Sequence, residues 1–254
     1  RPASRAIRVD FPEPEGPVTA RASPLPTFKE TSFRIVSVPA GPRTSRETLM
    51  ASKTRSFTTR LLLLFLLFAG SANASPPIIV VIGDSISAAY GMPVEDGWVS
   101  LIQERMRSEA RFINAAISGE TTAGAARSLQ GLLEQHQPWV VILEIGANDG
   151  LRGHPPTVIY KNLAGMIERS LQADATVLLI GIDIPSNYGP AYRDAFRSVY
   201  TKLAANYDIA FVPSIFDEIF SRPELLQPDG LHPNETAQNL ISERIYPVVS
   251  TLLD

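Results

Sequence analysis

Residues 75–254 predict a three-layer α/β/α domain, a parallel sheet covered by helices on both faces. Three observations carry that expectation. Short continuous apolar runs bounded by turn residues recur five times, as buried strands do. Between them lie stretches whose apolar residues repeat at helical spacing. The two kinds of segment alternate along the chain, and parallel strands need crossover connections that helices supply.

In order, the first strand is expected over 77–82, where Pro77 leads into five consecutive Ile and Val residues, and a helix follows over 97–109. A second strand over 112–117 precedes a helix over 122–135. A third, over 139–145, precedes a helix over 157–172. The fourth strand spans 176–182 and its helix 192–206, and a fifth strand over 209–213 leads towards a last helix over 236–252. In open parallel sheets the ligand crevice lies beyond the carboxyl ends of the strands, so the loops just after each strand are the place to look for chemistry.

The N-terminal third reads differently. Residues 1–49 hold eight prolines and no sustained apolar period, the composition of a disordered segment. From Met50 the chain carries Lys53, Arg55 and Arg60, then an apolar run over 61–68, then Ser71-Ala72-Asn73-Ala74-Ser75. Cationic flank, short apolar run and small-residue exit are the layout of a secretory signal peptide, with cleavage expected after Ala74. The run is about half the ~20 residues that a membrane-spanning helix needs. A signal peptide belongs at a translation start, so Met50 is read as that start and 1–49 as an upstream segment. The expected location is periplasmic or secreted.

Residues 75–254 contain 12 Lys and Arg against 21 Asp and Glu, a net charge of −9. That balance repels phosphate backbones and argues against a nucleic-acid partner. The chain has no cysteine, which excludes a disulfide, a thiolate nucleophile, a Cys-based zinc site and a lipid-anchoring thiol.

Three rim loops follow the first three strands: Gly83-Asp84-Ser85-Ile86-Ser87, Ser118-Gly119-Glu120 and Gly146-Ala147-Asn148-Asp149-Gly150. A serine hydroxyl needs a nearby base to become a nucleophile, and histidine is the usual one. Of three histidines, His136 ends a predicted helix and His154 lies in Gly153-His154-Pro155-Pro156, where it could line a substrate mouth. His232 is preferred, because Asp229 three residues earlier can fix one ring nitrogen and leave the other for Ser85. Asp229-Gly230 also fits a plain turn, with Asp229 or Asn234 capping the last helix. Negative charge developing on an attacked carbonyl oxygen needs preorganised donors. The backbone N–H groups of Ser85 and Gly119 and the amide of Asn148 are available, although Gly119 and Asn148 taken singly also suit ordinary turns.

Together these residues resemble the SGNH, or GDSL, hydrolases, a family named for a serine, glycine, asparagine and histidine in four separated blocks. Ser85, Gly119, Asn148 and His232 occupy those blocks in order, and the resemblance runs over 77–250. It is closest to the bacterial branch of periplasmic acyl-CoA thioesterases that are also lysophospholipases and arylesterases. The resemblance implies a flavodoxin-like fold with five parallel strands, a triad of Ser85, His232 and Asp229, and oxyanion donors from Ser85, Gly119 and Asn148. It implies no metal or organic cofactor, a small-molecule acyl ester or thioester as substrate, no stable membrane anchor and a monomer. Asp84 is expected to hold the nucleophile loop. Two positions depart from the family pattern: Ile86 stands where leucine is common, and Ala89, where glycine is frequent, asks for a backbone that tolerates a Cβ.

The reaction expected is acyl transfer through an acyl-enzyme to water, with His232 as base in both halves. Leu151, His154 and Pro155 on one loop, and Asn187 and Tyr188 on another, are expected to line the acyl chain's path. A carbohydrate O-deacetylase on the same fold and a non-catalytic secreted binding module are the alternatives.

Overall fold

The computed structural model describes residues 75–214 and 216–253. The expected disordered segment and signal peptide, residues 1–49 and 50–74, lie outside the described residues. Among these, five strands form one parallel sheet: β1 (Ile78–Gly83), β2 (Arg111–Asn114), β3 (Val140–Glu144), β4 (Thr176–Ile180) and β5 (Ala210–Val212). The strand order is β2-β1-β3-β4-β5, every neighbouring pair parallel. β1 and β3, apolar up to Gly83 and Glu144 at their ends, fill the centre and are almost wholly buried. β2, at one edge, is only partly buried.

The longer helices are α1 (Trp98–Arg105), α2 (Thr122–His136), α4 (Pro156–Gln172), α5 (Pro190–Tyr207) and α7 (Glu235–Thr251). They coincide with the five expected from periodicity to within a few residues. α2, α4 and α5 pack side by side, while α1 packs with α7. The α7 contact is locked by Gln238, whose buried side chain accepts from the N–H at the start of α1, Trp98 (3.0 Å), and reaches back to the carbonyl of Ile86 (3.4 Å). One hydrogen-bonding side chain thereby ties the last helix, the first helix and the loop after β1 together.

Two short helices escaped the sequence reading. α3 (Ala147–Leu151) occupies the stretch expected to be a loop after β3, and α6 (Phe216–Phe220) follows β5. Gly146 explains the first: at φ 127° it turns the chain from strand directly into a helical turn, and a Cβ there would lie 2.3 Å from the Tyr200 hydroxyl. Five residues are too few to show a period. Ala89 is a further correction. Its φ of 53° is left-handed, the region that glycine favours, and its buried Cβ lies against Gly97, where a Cβ would come within 2.8 Å of it.

Candidate active site

β1 lies between β2 and β3, so the loop carrying Ser85 is flanked by the loop carrying Gly119 and the helix carrying Asn148. All three leave the same edge of the sheet, at the position where strand order reverses and ligands of such sheets bind. After β1 the chain folds into successive tight turns: Ala88 N–H donates to Asp84 O and Tyr90 N–H to Ser85 O, both at 3.0 Å. Asp84 Oδ1 accepts from Ile86 N–H (3.2 Å), while its buried Oδ2 has no hydrogen-bond partner among the described residues.

The histidine arrives from the other end of the chain. Residues 226–233 make a narrow turn closed by a Leu226–Pro233 bridge and by Gln227 N–H donating to His232 O (2.7 Å). Asn234 caps α7 by accepting from Ala237 N–H (3.2 Å). Asp229 does not cap the helix. Its Oδ1 accepts from the N–H groups of Leu231 (2.9 Å) and His232 (3.0 Å), which shapes the turn, while Oδ2 accepts from His232 Nδ1–H at 2.6 Å. These donors, the His232 backbone N–H foremost, hold the Asp229 carboxyl down at about 2. With Nδ1 engaged, His232 Nε2 faces Ser85, whose hydroxyl donates to it at 3.0 Å. Such a relay can withdraw the serine proton and stabilise the imidazolium that results.

Gly119 sits at φ 81°, which any other residue would strain to adopt, and space is open where a Cβ would stand. Arg152, just past α3, donates to the Gly119 carbonyl (3.2 Å) and so ties the loop of one candidate oxyanion donor to the helix of another. Behind them Asp149, fully buried, accepts from Thr122 N–H (2.8 Å) and Thr122 Oγ1 (2.7 Å), pinning the start of α2 to α3.

A scan against family models matches residues 81–240 to the GDSL-like Lipase/Acylhydrolase family. The chain belongs to that family. It is 42% identical over 184 residues to esterase TesA of Pseudomonas aeruginosa, covering 71% of this chain and 92% of the relative. It is 37% identical over 187 residues to thioesterase 1/protease 1/lysophospholipase L1 of Escherichia coli, covering 74% and 90%. Among solved structures, the psychrotrophic esterase EstA from Pseudoalteromonas sp., inhibited by monoethylphosphonate, matches with a TM-score of 0.66 and 40% identity over 70% of this chain and 98% of its own.

Other sequence-derived positions in this acylhydrolase fall as follows. Tyr188 donates from its hydroxyl to Leu151 O (2.7 Å), which brings the two expected acyl-chain loops together. Asn187 and Pro155 are exposed, and His154 is half-buried with Nδ1 3.4 Å from Asp149 Oδ1. His136 is the last residue of α2. Several residues that build the site were missed. Glu144, fully buried at the end of β3, accepts from Ser87 Oγ (2.6 Å). Burial, with the neighbouring Asp84 charge, pushes its carboxyl well above the usual range, and burial lifts Asp84 to about 6. The signal was present: Glu144 is the one ionisable residue in an otherwise apolar run. Tyr90, which the sequence alone does not single out, has its ring 4.5 Å from that of His232.

Proposed function

We propose that this acylhydrolase is a serine esterase and thioesterase that cleaves acyl esters and thioesters through an acyl-enzyme on Ser85. The observation that carries the reading is the continuous relay Asp229 Oδ2, His232, Ser85 Oγ, with contacts of 2.6 and 3.0 Å. His232 takes the Ser85 proton as Oγ bonds to the acyl carbon, then gives it to the departing alcohol or thiol. Water deacylates the enzyme with His232 again as base. The N–H groups of Ser85 and Gly119 and the Asn148 amide receive the oxyanion; each such donor supplies roughly 3 to 4 kcal/mol in sites of this kind. Arg152 supports that role by tying the Gly119 loop to the helix of Asn148 through the Gly119 carbonyl.

The acyl chain runs along Leu151, His154, Pro155, Asn187 and Tyr188 in this reading, supported by the Tyr188–Leu151 hydrogen bond that joins the two loops. Residues 50–74 act as a signal peptide that delivers residues 75–254 to the periplasm or medium as a monomer. Among the described residues, no helix is long and apolar enough to cross a membrane.

Hydrolysis of nitrophenyl acetate, nitrophenyl octanoate, a long-chain acyl-CoA and an acetylated sugar, by the wild type and Ser85→Ala, tests the proposal. Both nitrophenyl esters and the acyl-CoA should turn over, and Ser85→Ala should lose about 10⁴-fold or more in kcat. Turnover confined to the acetylated sugar would reassign the enzyme as a deacetylase. Mass spectrometry of the exported protein should find Ser75 at its N-terminus; a start well upstream would contradict the signal peptide.

A further inference from the structure

We infer that Asp84 and Glu144 hold a single proton between their buried carboxyls, and that the charge left on Asp84 makes them a positioning pair for His232, stabilising its imidazolium as the reaction proceeds. The inference rests on the Ser85–His232–Asp229 reading and deepens it by adding a second carboxylate to Asp229. Both side chains are fully buried. Gly83 and Glu144 are register partners on β1 and β3, which brings the Glu144 carboxyl against the loop that carries Ser85. The missing side chain of Gly83 makes the room: a Cβ there would lie 3.2 Å from Glu144 Oε2 and 2.5 Å from Ser87 Oγ. Glu144 Oε2 accepts from Ser87 Oγ (2.6 Å) and Asp84 Oδ1 from Ile86 N–H (3.2 Å). Each carboxyl keeps one buried oxygen, Glu144 Oε1 and Asp84 Oδ2, with no partner among the described residues. Buried oxygens left in that state are costly, and neighbouring carboxyls of like charge resist ionising together. One proton answers both problems, with one orphaned oxygen as its donor and the other as its acceptor.

The titratable groups facing Asp84 are Glu144 from β3, His232 from the turn before α7, Asp149 from α3 and the Tyr200 hydroxyl from α5; Glu144 faces Asp84 and Tyr200. Of these, His232 alone can become a cation. Burial and the Asp84 charge keep Glu144 protonated well above the usual carboxylate range, which makes Glu144 the donor. Asp84, lifted by burial to about 6, gives up its own proton below neutrality, which leaves it the acceptor and the anion. When His232 takes the Ser85 proton, that anion attracts the imidazolium, and in a buried setting the attraction is weakly screened. The proton on Nε2 goes on to the leaving alcohol or thiol, while the one between Asp84 and Glu144 stays where it is. The pair therefore acts through His232 and never touches substrate.

The pH profile of kcat on nitrophenyl acetate separates this role from simple bracing of the loop. In wild type the acid limb should be steeper than one ionisation allows, because protonating Asp84 removes an attraction in addition to the loss of the histidine base. Asp84→Asn should reduce the limb to a single ionisation and lower kcat at about pH 8 by roughly tenfold, a coupling of one pK unit. Glu144→Gln, whose amide still donates to Asp84, should keep the wild-type limb. Glu144→Met cannot donate and should move the limb by about one unit or more towards alkaline pH. A loss in Glu144→Met that is equal at every pH would make the pair a brace and overturn the inference, as would an Asp84→Asn limb as steep as that of wild type. Infrared spectra at about pH 7.5 need no turnover: the carbonyl band of a protonated carboxyl should appear in wild type and Asp84→Asn and vanish in Glu144→Gln. Its absence from wild type would also overturn the inference. Hydrolysis of the ester by Ser85→Ala would instead refute the underlying serine mechanism, a different failure.

Discussion

In the proposed mechanism Asn148 offers its amide to the oxyanion. Asn148→Ala should lower kcat by about 10² to 10³ with little change in KM, because the donor is needed only when charge appears on the substrate oxygen. A loss confined to KM would move Asn148 out of the oxyanion hole. Asp84 has the opposite signature to Asp229. Its folded value of about 6 lies above the ordinary 3.8, so between about pH 4 and 6 the folded protein holds a proton that the unfolded chain has released. Its contribution is fully present below pH 4 and is lost as pH rises through 6. Urea unfolding at pH 4 and pH 7 should show Asp84→Asn gaining on wild type by on the order of 2 kcal/mol at the higher pH. Asp229, lowered from 3.8 to about 2, has the reverse profile: its contribution is fully present above about pH 4 and is lost as pH falls from there through about 2. Glu144→Gln should keep the Ser87 contact and Glu144→Ala should lose it, with activity following the same order; equal activity in both variants would deny Glu144 a part in placing the loop. Ser85, Asp229 and His232 were legible in the sequence because each stands in a short motif. Glu144 and Asp84 were not legible as stacked buried carboxyls, since burial arises only when β1 and β3 pair.

The elements were readable wherever composition repeats often enough to show a period. β1 and β3 are apolar at nearly every position and were placed to within a residue or two. α4 and α5 start with Pro156 and Pro190, residues suited to the first helical turn, and ended close to where they were expected. What composition could not show was the start of α3 immediately after Gly146, or the way the stretch after β4 is fastened. There the buried carboxylate of Asp183 pairs with both Arg193 and Arg197 of α5 and accepts from Ile184 N–H (2.8 Å). In sequence these charges look like a solvated helix face. Asp183→Ala leaves two guanidinium groups facing an emptied site and should cost about 3 kcal/mol in urea unfolding. A cost under about 0.5 kcal/mol would show that the pairs only decorate the surface.

At the scale of the molecule, the alternation of strands and helices predicted a parallel sheet, and the resemblance supplied the flavodoxin-like arrangement of its five strands. The order β2-β1-β3-β4-β5 is what converts four distant sequence blocks into one site. It places the Ser85 loop between the loops of Gly119 and Asn148, while α7 packs back along α1 and brings His232 over Ser85. No local pattern encodes that meeting, because the contact between Ser85 and His232 spans 147 residues. In the proposed mechanism this meeting makes Ser85 the nucleophile. Labelling the whole protein with a fluorophosphonate and mapping the modified residue by mass spectrometry tests it most directly. The expected result is a single adduct on Ser85, formed rapidly in wild type and at least a hundredfold more slowly in His232→Ala. An adduct on another residue, or labelling of Ser85 at an undiminished rate without His232, would contradict it.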